Sequence, residues 1–285
     1  MISTMKKEIG TLRDFLRPYT TDGIALAFSG GVDSSLLLAV LADMRREKEF
    51  PLLALFMHSC FQSPAEAETV RAGAAALGAE LEILSFDPLA LPEVRFNPPD
   101  RCYHCKKHIF TRFREVAAAR KLRHLFDGSH AGDARTYRPG RRALAELGVA
   151  SPLAELGFDK PVIRAMAREL GLDCAGKPAA PCLATRFDYG EELTPEKIAV
   201  AALGEKTLRQ YLPPDADLRL RIHGTLGRIE VPPENFPALM AHREEIVDEL
   251  RTLGLRFVAL DLAGFRSGSF DAGGRPQEKR KSGLA

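Results

Sequence analysis

The chain has 285 residues and a mass of 31.3 kDa; at 45% hydrophobic and 27% charged it can bury a core, as a disordered chain cannot. Forty Lys+Arg stand against 38 Asp+Glu, a formal net charge of +2, which argues against a dedicated nucleic-acid or membrane-surface binder. No run approaches the ~20 apolar residues of a membrane helix and no apolar leader core follows the first charges, so a cytoplasmic protein of about two domains is expected.

In chain order, Ile24 to Phe28 is a short apolar run ending at Ser-Gly-Gly, as a buried strand ends before a turn. Leu36, Leu37, Val40 and Leu41 give the next segment the apolar face of a helix. Leu52 to Met57 reads as a second buried strand. Pro64 to Leu77 is an alanine-rich helix stopped at Gly78. Leu81 to Leu84 is a third strand, Lys106 to Leu122 a helix, Leu125 to Asp127 a short strand, and Lys160 to Leu170 a helix closed by Gly171. This alternation predicts an α/β fold, a doubly wound parallel sheet with helices on both faces.

Between Gly171 and Glu192 the pattern lapses around Gly176, Pro178, Pro181 and Gly190, and the segment reads as an ordered functional loop. A helix (Pro195 to Tyr211), two strands (Leu218 to Ile222, Gly227 to Val231), a helix (Glu234 to Leu253) and a last strand (Arg256 to Leu262) then form a smaller α+β module. The expected division is thus 1–190 and 191–285. The second part carries 14 Lys+Arg against 15 Asp+Glu, so no basic surface is hidden there. The end of the chain, with Lys279-Arg280-Lys281, reads as mobile surface charge.

Ser29-Gly30-Gly31-Val32-Asp33-Ser34 lies between a buried strand and an amphipathic helix. Glycines let the backbone approach an anion closely, and the amides at the helix start form a phosphate cradle. Ser29 and Ser34 add hydroxyl donors, and Asp33 suits a magnesium ion bridging phosphate oxygens. The Gly-Lys-[Ser/Thr] of a Walker loop and the third glycine of the dinucleotide fingerprint are both missing. The motif resembles that of the PP-loop ATP pyrophosphatases. That resemblance implies cleavage of ATP between its α and β phosphates and adenylation of an acceptor oxygen.

Five cysteines are too few and too oddly numbered for a disulfide scaffold. Cys102 and Cys105 form Cys-Tyr-His-Cys behind Asn97-Pro-Pro-Asp-Arg101, at a helix start that Asp100 can cap; Arg101, Lys106 and Lys107 favour thiolates there. Cys182 sits in the irregular segment, with Arg186 placed to pair with an anion. Three readings stay open: structural zinc with His104 or His108 as fourth ligand, a redox pair, or three thiolates on a [4Fe–4S] cluster with one iron open.

Further stretches carry a narrower resemblance: Asn97-Pro-Pro-Asp-Arg-Cys-Tyr-His-Cys-Lys106, Asp127-Gly-Ser, Tyr137-Arg-Pro-Gly140, Ser151-Pro-Leu153, Lys177-Pro-Ala-Ala-Pro-Cys182-Leu-Ala, Arg228-Ile-Glu230 and Gly264-Phe-Arg-Ser-Gly-Ser269. Together they look like the LarE-type sulfur transferases, a PP-loop branch, in the version with three cysteines. Two stretches depart from the family pattern, His130-Ala-Gly132-Asp133 and Cys174-Ala-Gly176, and they leave the acceptor open. The resemblance implies ATP, Mg2+ and a [4Fe–4S] cluster on Cys102, Cys105 and Cys182. It also implies a small nucleotide acceptor (pyridinium biscarboxylate mononucleotide), sulfide or another sulfur donor, no nucleic-acid partner, and a homo-oligomer.

Arg219 and Arg221, two apart on one strand face, suit a phosphate or carboxylate clamp, or else a solvated face. Arg228 and Glu230 repeat the spacing, with a cross-strand ion pair as the alternative. Asp127, at a strand end, is placed where ligands gather in open α/β sheets. His58 and Cys60 edge either an adenine pocket or plain packing, and Cys174 reads as structural. Two rivals stand beside the sulfur transferase: a tRNA-thiolating PP-loop enzyme, disfavoured by the charge balance, and a non-catalytic ATP-binding protein with structural zinc.

Overall fold

The computed structural model describes residues 2–63, 65–135, 139–177 and 181–266. Of the features singled out above, Pro64 and residues 137–138, 178–180, 267–269 and 279–281 lie outside the described residues. The chain divides into two compact units, one holding the described residues up to Val94 and from Asp100 to 177, the other Arg95–Pro99 and those from Pro181 onward. The loop with Cys182 therefore goes with the second unit, whereas the expected division at 190/191 leaves it in the first.

The first unit opens with α1 (Ile2–Leu16), an element the sequence reading lacked. Its signal is there in retrospect: Met5, Ile9, Leu12 and Leu16 recur three or four apart, and Leu12 and Leu16 are fully buried. Then follow β1 (Ile24–Ala27), α2 (Val32–Glu47), β2 (Leu52–His58), α3 (Glu66–Ala76), β3 (Glu80–Ser85) and the short α4 (Pro92–Arg95). After these come α5 (Arg101–Ala119), β4 (His124–Phe126), α6 (Gly140–Glu146), α7 (Pro152–Glu155) and α8 (Lys160–Glu169).

Among the described residues these strands form one parallel sheet in the order β3-β2-β1-β4. Successive side chains of β1 point to opposite faces. Ile24, Leu26 and Phe28 pack with Leu36, Leu37 and Leu41 of α2 and Ile163 and Met166 of α8. Ala25 packs on the other side with Phe110, Phe113 and Ala117 of α5. With both faces covered, the central strands read as unbroken apolar runs, because no face is left for water. A fully buried leucine such as Leu26 contributes about 2 kcal/mol over an exposed one. The expected doubly wound sheet is present, and the connections diverge beside β1, which lies between β2 and β4. Ligand crevices of such sheets open at that point, at the carboxyl end of the strand.

The second unit holds α9 (Pro195–Arg209), capped by Thr194, whose hydroxyl accepts from the Lys197 amide at 3.3 Å. A tight turn through Gly224 joins β5 (Arg219–His223) to antiparallel β6 (Leu226–Glu230), and β7 (Phe257–Leu260) pairs parallel to β6. Leu208, Leu220, Ile229 and Leu250 are buried in this unit. The single helix expected over 234–253 is a correction: it is two, α10 (Phe236–Ala241) and α11 (Arg243–Thr252). Pro232 and Pro233 delay the start. At His242 (φ −115°, ψ 25°) the backbone leaves helical geometry, and its carbonyl begins a new ladder by accepting from Ile246.

Candidate functional site

The run Ser29 to Ser34 lies at the carboxyl end of β1 and turns directly into α2. Gly30 has φ +70°, and a Cβ there would lie 3.3 Å from Val70 of α3, so both conformation and space favour glycine. The Ser34 hydroxyl stitches the loop, accepting from the Ser29 amide at 3.2 Å and donating to the Gly31 carbonyl at 3.2 Å. Ser29 Oγ lies 3.2 Å from Ser34 Oγ and accepts from the Gly31 amide at 3.4 Å. Val32, Asp33 and Ser34 form the first turn of α2, whose amides have no preceding helical carbonyl. Ser29 and Gly31 are exposed, while Val32 and Ser34 are buried. The loop is a braced, open-mouthed anion cradle at the positive end of a helix.

Two neighbours complete it. Asp33, the expected magnesium ligand, is held by a residue the sequence reading did not single out: Lys160 Nζ reaches its carboxylate oxygens at 2.8 and 2.5 Å. Asp127, just past β4 and buried, accepts from Ser129 Oγ at 2.5 Å and Ser151 Oγ at 2.6 Å. Between them Gly128 presses on the loop, for a Cβ there would sit 3.0 Å from the Ser34 amide nitrogen. Asp127 thus braces the segment that faces the cradle through its two serines. His58 ends β2 with its Nδ1 buried and, among the described residues, without a hydrogen-bond partner, while Cys60 is exposed.

The Cys-X-X-Cys pair opens α5, whose helix begins at Arg101, five residues before the expected start. Asp100 occupies the cap position, but its side chain makes no capping bond; its carboxylate meets His104 Nε2 at 3.2 Å instead. His108 is stacked on Phe86, with centroids 4.3 Å apart. Buried Arg101 donates to Cys102 Sγ at 3.7 Å, which places a cation against an exposed sulfur. Cys105 is half-buried. Tyr103, Lys107 and Glu146 lock α5 to α6 by bonds of 2.8 to 3.0 Å.

In the second unit Cys182 caps a single turn, residues Leu183–Arg186. Its carbonyl accepts from the Thr185 hydroxyl at 2.8 Å and amide at 3.0 Å. Arg186, expected to meet an anion, meets one of the chain's own: its fork grips Glu205 of α9 at 2.6 and 2.9 Å, and Nη1 donates to Thr185 Oγ1 at 2.7 Å. Arg221 donates to the Thr185 carbonyl and, at 3.1 Å, to Glu230, which also pairs with Arg228 at 3.2 Å. Burial, then the nearby arginines, pull the Arg221 guanidinium below its ordinary pKa.

Arg219 differs. Among the described residues no carboxylate bonds to it; it donates to its neighbour's carbonyl at 2.6 Å and lies 5.0 Å from the Phe265 ring. Burial, followed by repulsion from Arg186, pushes its pKa down to about 10. Asn97 holds the turn from a distant stretch of sequence. Fully buried at φ +47°, its amide donates to the carbonyls of Ala184 (3.4 Å), Phe187 (3.0 Å) and Asp188 (2.8 Å), holding the far end of the Cys182 turn. Among the described residues no three His, Cys, Asp or Glu side chains are grouped as a metal ion requires.

Comparisons with known proteins agree with this layout. A PP-loop domain family matches residues 4–93, which include the cradle, Val70 and β1 to β3. An uncharacterized protein of Synechocystis sp. (slr1717) is 35% identical over 269 residues, 94% of this chain and 98% of that one. The pyridinium-3,5-bisthiocarboxylic acid mononucleotide synthase of Lactiplantibacillus plantarum is 34% identical over 260 residues, 91% of each chain. An uncharacterized protein of Methanocaldococcus jannaschii (MJ0830) is 27% identical over 92% of this chain and 98% of its own. The chain therefore belongs to the family of the pyridinium-3,5-bisthiocarboxylic acid mononucleotide synthases, the LarE-type branch of the PP-loop enzymes.

Proposed function

We propose that the chain is an ATP-dependent sulfur transferase that adenylates a carboxylate of pyridinium biscarboxylate mononucleotide and replaces AMP by sulfur. The observation that carries the reading is the braced cradle Ser29–Ser34 at the end of β1, in a chain similar over nearly its whole length to a synthase of that name. A carboxylate oxygen of the acceptor attacks the α-phosphorus and pyrophosphate leaves. A sulfur nucleophile then attacks the acyl carbon, and AMP departs with the oxygen that had attacked, leaving a thiocarboxylate. Adenylation is needed because a carboxylate oxygen is otherwise a very poor leaving group.

The amides of Val32, Asp33 and Ser34 and the Ser29 hydroxyl offset the charge that develops on pyrophosphate, and Asp33 is the residue that would hold a magnesium ion, which would supply further charge neutralisation to the phosphates. Arg219, a desolvated cation to which no carboxylate among the described residues is bonded, is the group for the acceptor's phosphate or carboxylate. Arg186 and Arg221 act differently: their bonds to Thr185 set the turn that Cys182 caps. Asp127 keeps the segment beside the loop in place through Ser129 and Ser151.

Cys102, Cys105 and Cys182 are the thiolates that would hold a [4Fe–4S] cluster; soft sulfur donors suit it, and Arg101 against Cys102 favours the charged form. When bound, such a cluster supplies an open iron for hydrosulfide. Cys182 acting alone as sulfur donor is the second branch, on a turn that the Thr185 hydroxyl ties to the Cys182 carbonyl. A cytoplasmic homo-oligomer is proposed alongside, and among the described residues no helix is long and apolar enough to cross a membrane.

The test is anaerobic purification followed by turnover. Iron–sulfur absorption lost in Cys102→Ala, Cys105→Ala and Cys182→Ala supports the cluster. A Cys182 peptide lighter after turnover by the mass of one hydrogen sulfide supports sacrifice of the cysteine. Acceptor-dependent pyrophosphate release unchanged in Asp33→Ala refutes the cradle assignment.

A further inference from the structure

The carboxyl edge of the sheet that carries the cradle also carries a cleft. Beyond β4 the sheet gains one more position: Ala150 pairs parallel with Phe126, donating to the Leu125 carbonyl at 3.1 Å and accepting from the Asp127 amide at 3.0 Å. Just past these two segments, Ser129, Ser151 and Glu155 join Arg141, Leu144 and Val149 around an opening of about 300 Å3. That is the lower end for small-molecule clefts, room for one substituted ring. Ligands of open α/β sheets gather along this edge. Cleft and cradle share a wall, since Gly128, beside Ser129, packs on the Ser34 amide.

The lining is selective. Leu144 and Val149 are buried and make the floor apolar. Ser129 and Ser151 both donate their hydroxyl protons to Asp127, at 2.5 and 2.6 Å, so they offer a ligand only oxygen lone pairs. Arg141 is exposed and, among the described residues, makes no hydrogen bond or ion pair. Its neighbour Arg142 is engaged, 3.5 Å from Glu146 and 3.7 Å from the Tyr103 ring centroid. Glu155 accepts from the Ser151 amide at 3.0 Å and adds one negative charge to the rim. A simple anion such as phosphate would meet Arg141 but also Glu155 and the serine lone pairs. A flat ring that carries both charges, with hydroxyl donors attached, satisfies every group.

We propose that this cleft is the ring subsite of the acceptor and takes a carboxypyridinium nucleotide. Arg141 grips the carboxylate that is not being adenylated, Glu155 balances the pyridinium charge, and the serine oxygens accept from ribose hydroxyls. A ring held by one carboxylate leaves the other free to attack, so the cleft selects a dicarboxylate. The inference rests on the reading of the chain as a carboxylate-adenylating enzyme, but its first test needs neither ATP nor turnover.

1-Methylpyridinium-3,5-dicarboxylate is titrated calorimetrically into the nucleotide-free protein, beside isophthalate, which has the same two carboxylates without the ring charge. Wild type should bind the pyridinium about fivefold more tightly, the worth of a partly exposed ion pair. Arg141→Met should weaken both probes about tenfold, as loss of a charge-assisted bond does, and Arg141→Lys less. Glu155→Gln, which keeps an acceptor for the Ser151 amide, should bring the two probes to equal affinity. Ala145→Leu, at the exposed rim, should exclude both by bulk. In turnover Arg141→Met should raise the KM for the acceptor about tenfold while the Kd for ATP keeps its wild-type value. Melting temperatures check folding. Wild-type affinity for both probes in Arg141→Met or in Ala145→Leu, or no binding by wild type, would overturn the subsite. A pyridinium preference that persists in Glu155→Gln would overturn the charge match. Arg141-dependent ring binding by a wild-type protein that releases no acceptor-dependent pyrophosphate would refute the adenylation reading and support the cleft.

Discussion

Replacing Asn97 by alanine tests how the turn at Cys182 is held. The Asn97 amide serves carbonyls at 2.8, 3.0 and 3.4 Å, all in the segment that follows Cys182. The two shorter bonds are worth about 1 kcal/mol each, and carbonyls left without a donor add roughly 1 kcal/mol more. Asn97 also sits at φ +47°, which asparagine tolerates and alanine does at a cost of about 1–2 kcal/mol. Asn97→Ala should therefore lose about 4 kcal/mol, or roughly 10 °C in melting temperature. Asn97→Gly loses the same bonds without the backbone strain and should cost about 1 kcal/mol less. Urea unfolding of both variants, with unchanged m-values, gives the two numbers. A loss under about 1 kcal/mol in Asn97→Ala, or no difference between the variants, would refute the reasoning.

Glu205→Ala leaves Arg186 buried without its partner and the Leu220 amide without its acceptor, and should cost about 3 kcal/mol in urea unfolding. Arg186→Met with Glu205→Leu should recover most of that loss while still impairing sulfur transfer, because the turn loses its bond to Thr185. Arg219→Met removes a desolvated cation, so its melting temperature should equal or exceed wild type while the KM for the acceptor rises about tenfold. Burial lifts the Glu66 carboxyl to about 7, above its unfolded value of 4.5. A raised pKa contributes stability that is complete below the unfolded value and lost as pH rises through 7. Unfolding at pH 5 and pH 8 should differ by about 1–2 kcal/mol more in wild type than in Glu66→Gln, after discounting for partial exposure.

The strands and the cradle were legible in the sequence because their signals are local. Buried parallel strands write themselves as unbroken apolar runs, and the residues of Ser29–Ser34 that meet one another are adjacent in the chain. Lys160 was not legible as a partner of Asp33, since nothing in the residues between them records that α2 and α8 bring their N-termini together. Asn97 stands in a recognisable motif, but its work rests on a left-handed backbone and on carbonyls in a distant segment. For Arg186 the sequence shows the guanidinium and not Glu205, which reaches it from α9. The break at His242 went unseen because Glu234 to Leu253 has helical periodicity throughout, and periodicity does not record where a backbone changes direction.

The central claim is that a carboxylate of the acceptor attacks the α-phosphate and is later released as AMP. Pyridinium biscarboxylate mononucleotide labelled with 18O in its carboxylates, incubated with the protein, ATP, magnesium and sulfide, tests it directly. One 18O should appear in each AMP formed, in step with thiocarboxylate and pyrophosphate. Unlabelled AMP, or ADP and phosphate in place of AMP and pyrophosphate, would contradict the account.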